Sequence, residues 1–230
     1  MTIPEATKVQ NELRDKVLIQ PIDYPVNIIA GADISFNKFS PWVYAGIVLM
    51  SFPDLQPLGY SLVKKEVDFP YVPGYLAFRE VPALLDAWNQ LPVKPDILVV
   101  DGHGIAHPRR MGIAAHFGVV ADTPAFGCAK KVLCGKFEEP ALMKGSFSPL
   151  IHKEEIIGVA LRTKDKVKPV FVSPGNKIDL QGAMSIINQC VGKYRLPEPT
   201  RRAHNAVNEF RTGVLKEGFT AIQADTSSIF

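Results

Sequence analysis

The sequence predicts an α/β protein in which a central mixed β-sheet is flanked by helices. Three observations carry this expectation. Residues 27–67 contain three strand-like segments joined by short, turn-rich connections, the pattern of an antiparallel meander. Residues 97–100 (Ile-Leu-Val-Val) are a continuous apolar run, as in a strand buried on both faces. From residue 77 onward, segments with apolar residues at helical spacing alternate with short strand-like ones.

Taken in order, residues 5–19 carry a helical pattern (Val9, Leu13, Val17 between charges) that a proline-containing segment, Pro21 to Pro25, ends. Strands follow at residues 27–36, 43–52 and 58–67. In the first, Ile28, Ala30, Ala32, Ile34 and Phe36 face one way and Ile29, Gly31, Asp33 and Ser35 the other. Residues 77–91 read as an amphipathic helix through Phe78, Val81, Leu84, Leu85, Trp88 and Leu91, with Pro82 near its first turn, where proline is tolerated. Residues 96–101 form the buried central strand. A helix over residues 109–120, strands at 124–129 and 170–173, and a helix over 180–194 complete the reading. This order matches a ribonuclease-H-like topology, in a single domain spanning residues 1–230. Residues 218–230 form a tail without an interpretable pattern.

The bulk properties fit a globular domain with a substantial core: 230 residues, 47% hydrophobic and 21% charged. A net charge of only +3 confines any phosphate-binding surface to a local patch. Three cysteines without paired spacing (Cys128, Cys134, Cys190) give no disulfide framework and no zinc pattern, and read as reduced thiols. The N-terminus has neither a signal peptide nor a membrane span, so a cytoplasmic protein is expected, with no membrane partner and acting as a monomer.

Three acids stand out. Asp33 is the one charge in an otherwise apolar strand, where an unpartnered burial is costly. Asp101 ends the central strand, where ligands bind in α/β sheets, although an Asp-Gly turn also explains it. Glu80, taken alone, is an acid favoured by a helix N-terminus. In a ribonuclease-H-like fold, acids from the first strand, first helix and fourth strand converge, and these three residues occupy those elements. Such a cluster holds divalent metal ions, which make a nucleophile of water and neutralise charge on phosphate oxygens.

Residues 101–110 (DGHGIAHPRR) add glycines that admit close backbone approach, Gly102 and Gly104, and phosphate or metal partners, His103 and His107. Arg109 and Arg110 are placed to open a helix, a natural phosphate site. Lys130 and Lys131 follow an apolar stretch, and read either as a solvated pair or as partners of a phosphate or the carboxylates. Lys136, Arg195, Arg201 and Arg202 are further candidates for backbone contacts.

With these stretches in view the sequence resembles the endonuclease V family. The matching segments are AGADISF (30–36), PYVPGYLAFRE (70–80), PDILVVDGHGIAHPRRMGIAAHFGV (95–119), GCAKKVLCGKF (127–137) and YRLPEPTR (194–201). The resemblance spans roughly residues 10–210, and valine 72 departs mildly from the usual PYIPG.

The resemblance implies Mg2+-dependent hydrolysis, with Mn2+ as a substitute, of the second phosphodiester bond 3′ to deoxyinosine, leaving 3′-hydroxyl and 5′-phosphate ends. It implies that Asp33 and Asp101 bind metal, that Glu80 is the third catalytic acid, and that His107 and Lys130 act on the phosphate. His204 falls at a variable position that completes the metal site. Tyr71 matches the wedge that fills the gap left by a flipped base. Gly74, Leu76, Gly102, Gly104 and Gly127 match a base pocket lined largely by main chain. The expected partner is DNA containing deoxyinosine or another deaminated base. Two other readings stay open: the same chemistry on inosine-containing RNA, and a nucleic-acid-binding module without activity.

Overall fold

The computed structural model describes residues 1–37 and 40–222. Its centre is a nine-stranded sheet in the order β6-β7-β8-β5-β4-β1-β2-β3-β9. The strands are β1 (Ile28–Phe36), β2 (Trp42–Ser51), β3 (Pro57–Glu66), β4 (Ile97–Val100), β5 (Ala125–Ala129), β6 (Phe147–His152), β7 (Glu155–Leu161), β8 (Val170–Asn176) and β9 (Gly218–Ala221). β1, β4 and β5 run parallel to one another, and the remaining pairs are antiparallel. The sheet is therefore mixed, as the meander followed by a buried apolar strand predicts.

Five helices complete the layers: α1 (Ile3–Arg14), α2 (Ala77–Asn89), α3 (Ile113–Val120), α4 (Leu180–Gln189) and α5 (Glu198–Arg211). The alternation of β1 is realised. Ala30 and Ala32 join a core with Val81, Leu84 and Trp88 of α2 and Phe117 of α3. Ile29 joins the opposite core, with Ile186 and Ile187 of α4 and Ala203 and Val207 of α5. Burying one apolar stripe of a helix on each side of a two-faced strand is what makes this a three-layer fold.

Several boundaries differ from expectation. α1 starts two residues earlier, because Thr2 and Glu5 form a reciprocal cap, and it stops at Arg14 rather than residue 19. α3 begins at Ile113, not at residue 109: Arg110 has a left-handed φ of 59° and closes a turn onto the His107 carbonyl, which halts any helix there. Pro82 is the sixth residue of α2, beyond its first turn, and removes the hydrogen bond to the Phe78 carbonyl. α4 ends at Gln189, five residues short of the expected end.

Four elements are additions. The β6–β7 hairpin turns through Lys153 and Glu154, both at positive φ (55° and 66°) without asparagine or glycine to announce it. Its Pro149 is tolerated because β6 is an edge strand. α5 and β9 are the others; β9 takes residues 218–221 of the expected tail, and residues 223–230 lie outside the described residues. No described helix is long and apolar enough to cross a membrane.

Candidate active site

The three parallel strands deliver three charged side chains to one end of the sheet. Asp33 lies near the C-terminal end of β1, and Asp101 directly follows β4, its amide donating to the Ala32 carbonyl at 2.8 Å. Lys130 directly follows β5. Because β1, β4 and β5 are neighbours, their C-terminal ends are too.

α5 brings the fourth group. Gly31 and Gly46 lie beneath it: a β-carbon on Gly31 would overlap the Pro199 carbonyl, and one on Gly46 would press on Val207. Their bare backbones let α5 lie close on the sheet, which sets His204 Nδ1 2.8 Å from Asp33 Oδ2. Asn208, one turn on, donates to His204 Nε2 at 3.1 Å. Asp33 Oδ1 accepts the Ile34 amide at 2.8 Å, which orients the carboxylate.

Ligand atoms of Asp33, Asp101 and His204 all lie within 4.8 Å of one another. Asp33 is 7% exposed. Lys130 Nζ forms an ion pair with Asp101 and lies 3.4 Å from His204 Nδ1. Burial pushes the Asp101 carboxyl up, the charge of Asp33 adds to this, and Lys130 opposes it. Two buried carboxylates with one lysine and an imidazole leave negative charge that a cation would neutralise, so the donor set fits a divalent metal.

Glu80, in the first turn of α2, stands beside this cluster. Burial, then the charges of Asp33 and, less strongly, Asp101, push its carboxyl up to about 8, although Arg79 draws it down. Glu80 and Asp101 also line a cavity of about 340 Å3 together with Tyr71, Gly74, Leu76, Gly102 and His107. The cavity is mostly apolar, and Leu76 and Ala77 at its wall open α2, where amides have no intrahelical acceptor.

Other expected site residues have different surroundings. Gly104 and Gly127 do not line the cavity. A β-carbon on Gly104 would strike the Pro174 carbonyl and its amide is taken by Ser173 Oγ at 2.8 Å, while Gly127 carries the loop at Gly102 and Gly104 on its bare backbone. His107, expected to act on phosphate, has both ring nitrogens engaged: Nε2 with the Gly74 carbonyl (3.1 Å) and Nδ1 with the Arg109 amide (3.2 Å). Burial, with Arg109 nearby, lowers it to about 4, so it is a neutral brace of the cavity wall. Arg109 is spent on Gln10 and Gly74, and Arg110 on His152 and Glu155, rather than on a helix terminus. Arg195 braces the catalytic end, donating to the carbonyls of Lys130 and Pro169.

Gln10 and Asn208 are neighbours of the site that sequence reasoning missed. Polar residues on amphipathic helices look solvated, and only the fold shows Gln10 buried.

A ribonuclease-H-like sheet carrying, at the ends of its parallel strands, an Asp–Asp–His cluster that could hold a metal ion is the build of a nuclease. The chain belongs to the endonuclease V family. The family model described as Endonuclease V matches residues 11–205. Endonuclease V of Trichormus variabilis is 50% identical over 204 residues, 88% of this chain and 92% of the relative. The structure of endonuclease V from Streptomyces avermitilis superposes with a TM-score of 0.87 at 39% identity, covering 92% of this chain and 93% of that one. A Ciona intestinalis endonuclease V (D234N), 29% identical with a TM-score of 0.82 over 93% of this chain and 98% of that one, was solved with a 23mer DNA containing an inosine followed by a ribo-adenosine.

Proposed function

We infer that this protein is a DNA repair endonuclease that hydrolyses the second phosphodiester bond 3′ to deoxyinosine, leaving 3′-hydroxyl and 5′-phosphate ends. The observation that carries the reading is the adjacency of two features: the Asp33–Asp101–His204 cluster, and the cavity between Tyr71, Leu76 and Gly102, with Asp101 belonging to both. A flipped purine needs a snug apolar recess, and its backbone needs a cation nearby.

Asp33 and Asp101 are the ligands, and His204 completes the set. Carboxylate oxygens suit Mg2+, and the imidazole equally admits Mn2+. Asp33, Asp101 and His204 would hold a divalent ion there, which would supply water activation and offset charge on the attacked phosphate. Glu80 is the third catalytic acid beside them: burial and the charge of Asp33 push its carboxyl up, and a divalent cation held at the cluster would draw it back down. Lys130 Nζ, beside both Asp101 and His204, is placed to donate to a phosphate oxygen as its charge develops. Tyr71, 40% exposed at the cavity rim, is placed as the wedge that fills the vacated stack, and the main chain at Gly74, Leu76 and Gly102 receives the base. His107 supports that wall. The same reading makes the enzyme a monomer that acts in the cytoplasm, and three free thiols, two of them buried, suit that reducing compartment.

A second reading, the same cut in inosine-containing RNA, is favoured by the ribo-adenosine that follows inosine in the Ciona complex. Matched deoxy and ribo strands, each with one inosine, separate the two: faster cutting of the all-deoxy duplex supports DNA repair, and cutting of the ribo strand alone overturns it.

A further inference from the structure

The turn between Tyr71 and α2 is gripped from α1, and the geometry points to Gln10 as a positioning residue that sets affinity for the damaged base. This inference rests on the reading of the adjoining cavity as the base pocket. Residues 72–75 form a tight turn: the Tyr75 amide donates to the Val72 carbonyl at 3.0 Å, Pro73 is second and Gly74 third, with φ +82°. That is the residue pattern of a type II turn.

The Gly74 carbonyl accepts from three side chains: Gln10 Nε2 at 3.0 Å, Arg109 Nη2 at 2.6 Å and His107 Nε2 at 3.1 Å. Gln10 is fully buried, and its Oε1 accepts from Arg109 Nε at 2.5 Å. The Arg109 guanidinium lies 4.1 Å from the centre of the Tyr75 ring, and the Tyr75 hydroxyl is 2.8 Å from Thr7 Oγ1. One helix therefore holds both sides of the Gly74–Tyr75 peptide.

Glycine is the residue with most backbone freedom to lose, so an unheld Gly74 would have to be ordered when the base enters. With the carbonyl fixed by three donors, that ordering is complete beforehand and binding is correspondingly tighter. Asp33 and Asp101 are held by other partners, Ile34, His204 and Lys130, so the effect falls on base capture and not on the chemical step. Gln10 also lies just outside the segment that the family model matches.

Two variants test this. Gln10→Leu removes both hydrogen bonds at similar size, and Gln10→Glu keeps the acceptor for Arg109 while removing the donor to Gly74. KM for an inosine duplex is expected to rise about tenfold in each, with kcat within about twofold. Fluorescence anisotropy in chelator should show the same loss of affinity for the inosine duplex, with affinity for an undamaged duplex unchanged. Calorimetric Mn2+ affinity should also be unchanged. Wild-type KM in folded variants, or a loss confined to kcat, overturns the inference. So does failure of both variants to fold, which would make Gln10 a structural residue; if only Gln10→Leu fails, Gln10→Glu decides. A wild-type protein that ignores inosine sinks the base-pocket reading itself, whereas active wild type with unaltered variants sinks only the role of Gln10.

Discussion

A β-carbon on Gly31 would lie 1.9 Å from the carbonyl oxygen of Pro199. The first turn of α5 thus rests directly on the backbone of β1, and this contact fixes the height of His204 over Asp33. Gly31→Ala is expected to push α5 away, destabilising the protein by about 2 kcal/mol through overpacking. It should also weaken Mn2+ binding. Urea denaturation and calorimetric titration check both, and unchanged values in the variant would show that α5 does not depend on this contact.

Lys130→Met removes the cation that pairs with Asp101. The expected result is a fall in kcat of about a hundredfold, the usual size for losing one donor to developing charge. Duplex binding in chelator should persist. A variant with normal kcat would remove Lys130 from the catalytic set.

Tyr71 is 40% exposed and its ring centre is 5.9 Å from that of Phe36. Tyr71→Ala should raise KM for an inosine duplex about tenfold, the scale of one lost base–aromatic stack, while Tyr71→Phe retains the flat ring and near-normal KM. Steady-state kinetics on the two variants distinguishes a wedge from a packing residue, for which both would leave KM unchanged.

Stability should depend on pH through buried histidines. His116, 5% exposed and packed against Phe78, is lowered by burial from 6.5 to about 4, as are His103 and His107. Between these values the unfolded chain binds a proton that the folded chain refuses. The contribution is therefore full above pH 6.5 and is lost as pH falls towards 4, at about 1.4 kcal/mol per pH unit for each histidine. Urea unfolding at pH 7, 6 and 5 should show this decline, and His116→Phe should make it shallower. An equal slope in the variant would mean that His116 titrates normally.

Much of this architecture was legible beforehand because it rests on local periodicity. The alternation of β1 put Asp33 on the face opposite Ala30 and Ala32, and the apolar run of β4 put Asp101 at a strand end. α5 was legible but is absent from the sequence reading: Ala203, Ala206, Val207 and Phe210 recur at helical spacing among Arg201, Arg202, His204, Asn205 and Asn208. His204 therefore entered only through the family resemblance. The β6–β7 turn was hidden because Lys153 and Glu154 adopt a conformation that other residues favour. Gln10, and the contacts that redirect Arg109 from a phosphate to Gln10 and Gly74, were hidden for another reason: the partners are distant in the chain, and periodicity says nothing about long-range hydrogen bonds.

The most direct test of the central claim is nicking of an end-labelled duplex carrying one deoxyinosine, with Mg2+ and with chelator, beside an undamaged duplex and an Asp33→Ala protein. The account predicts a single Mg2+-dependent cut at the second phosphodiester 3′ to the lesion, absent from the undamaged duplex and from the variant. Absence of cutting by folded wild-type protein, or undiminished cutting by Asp33→Ala, would contradict it.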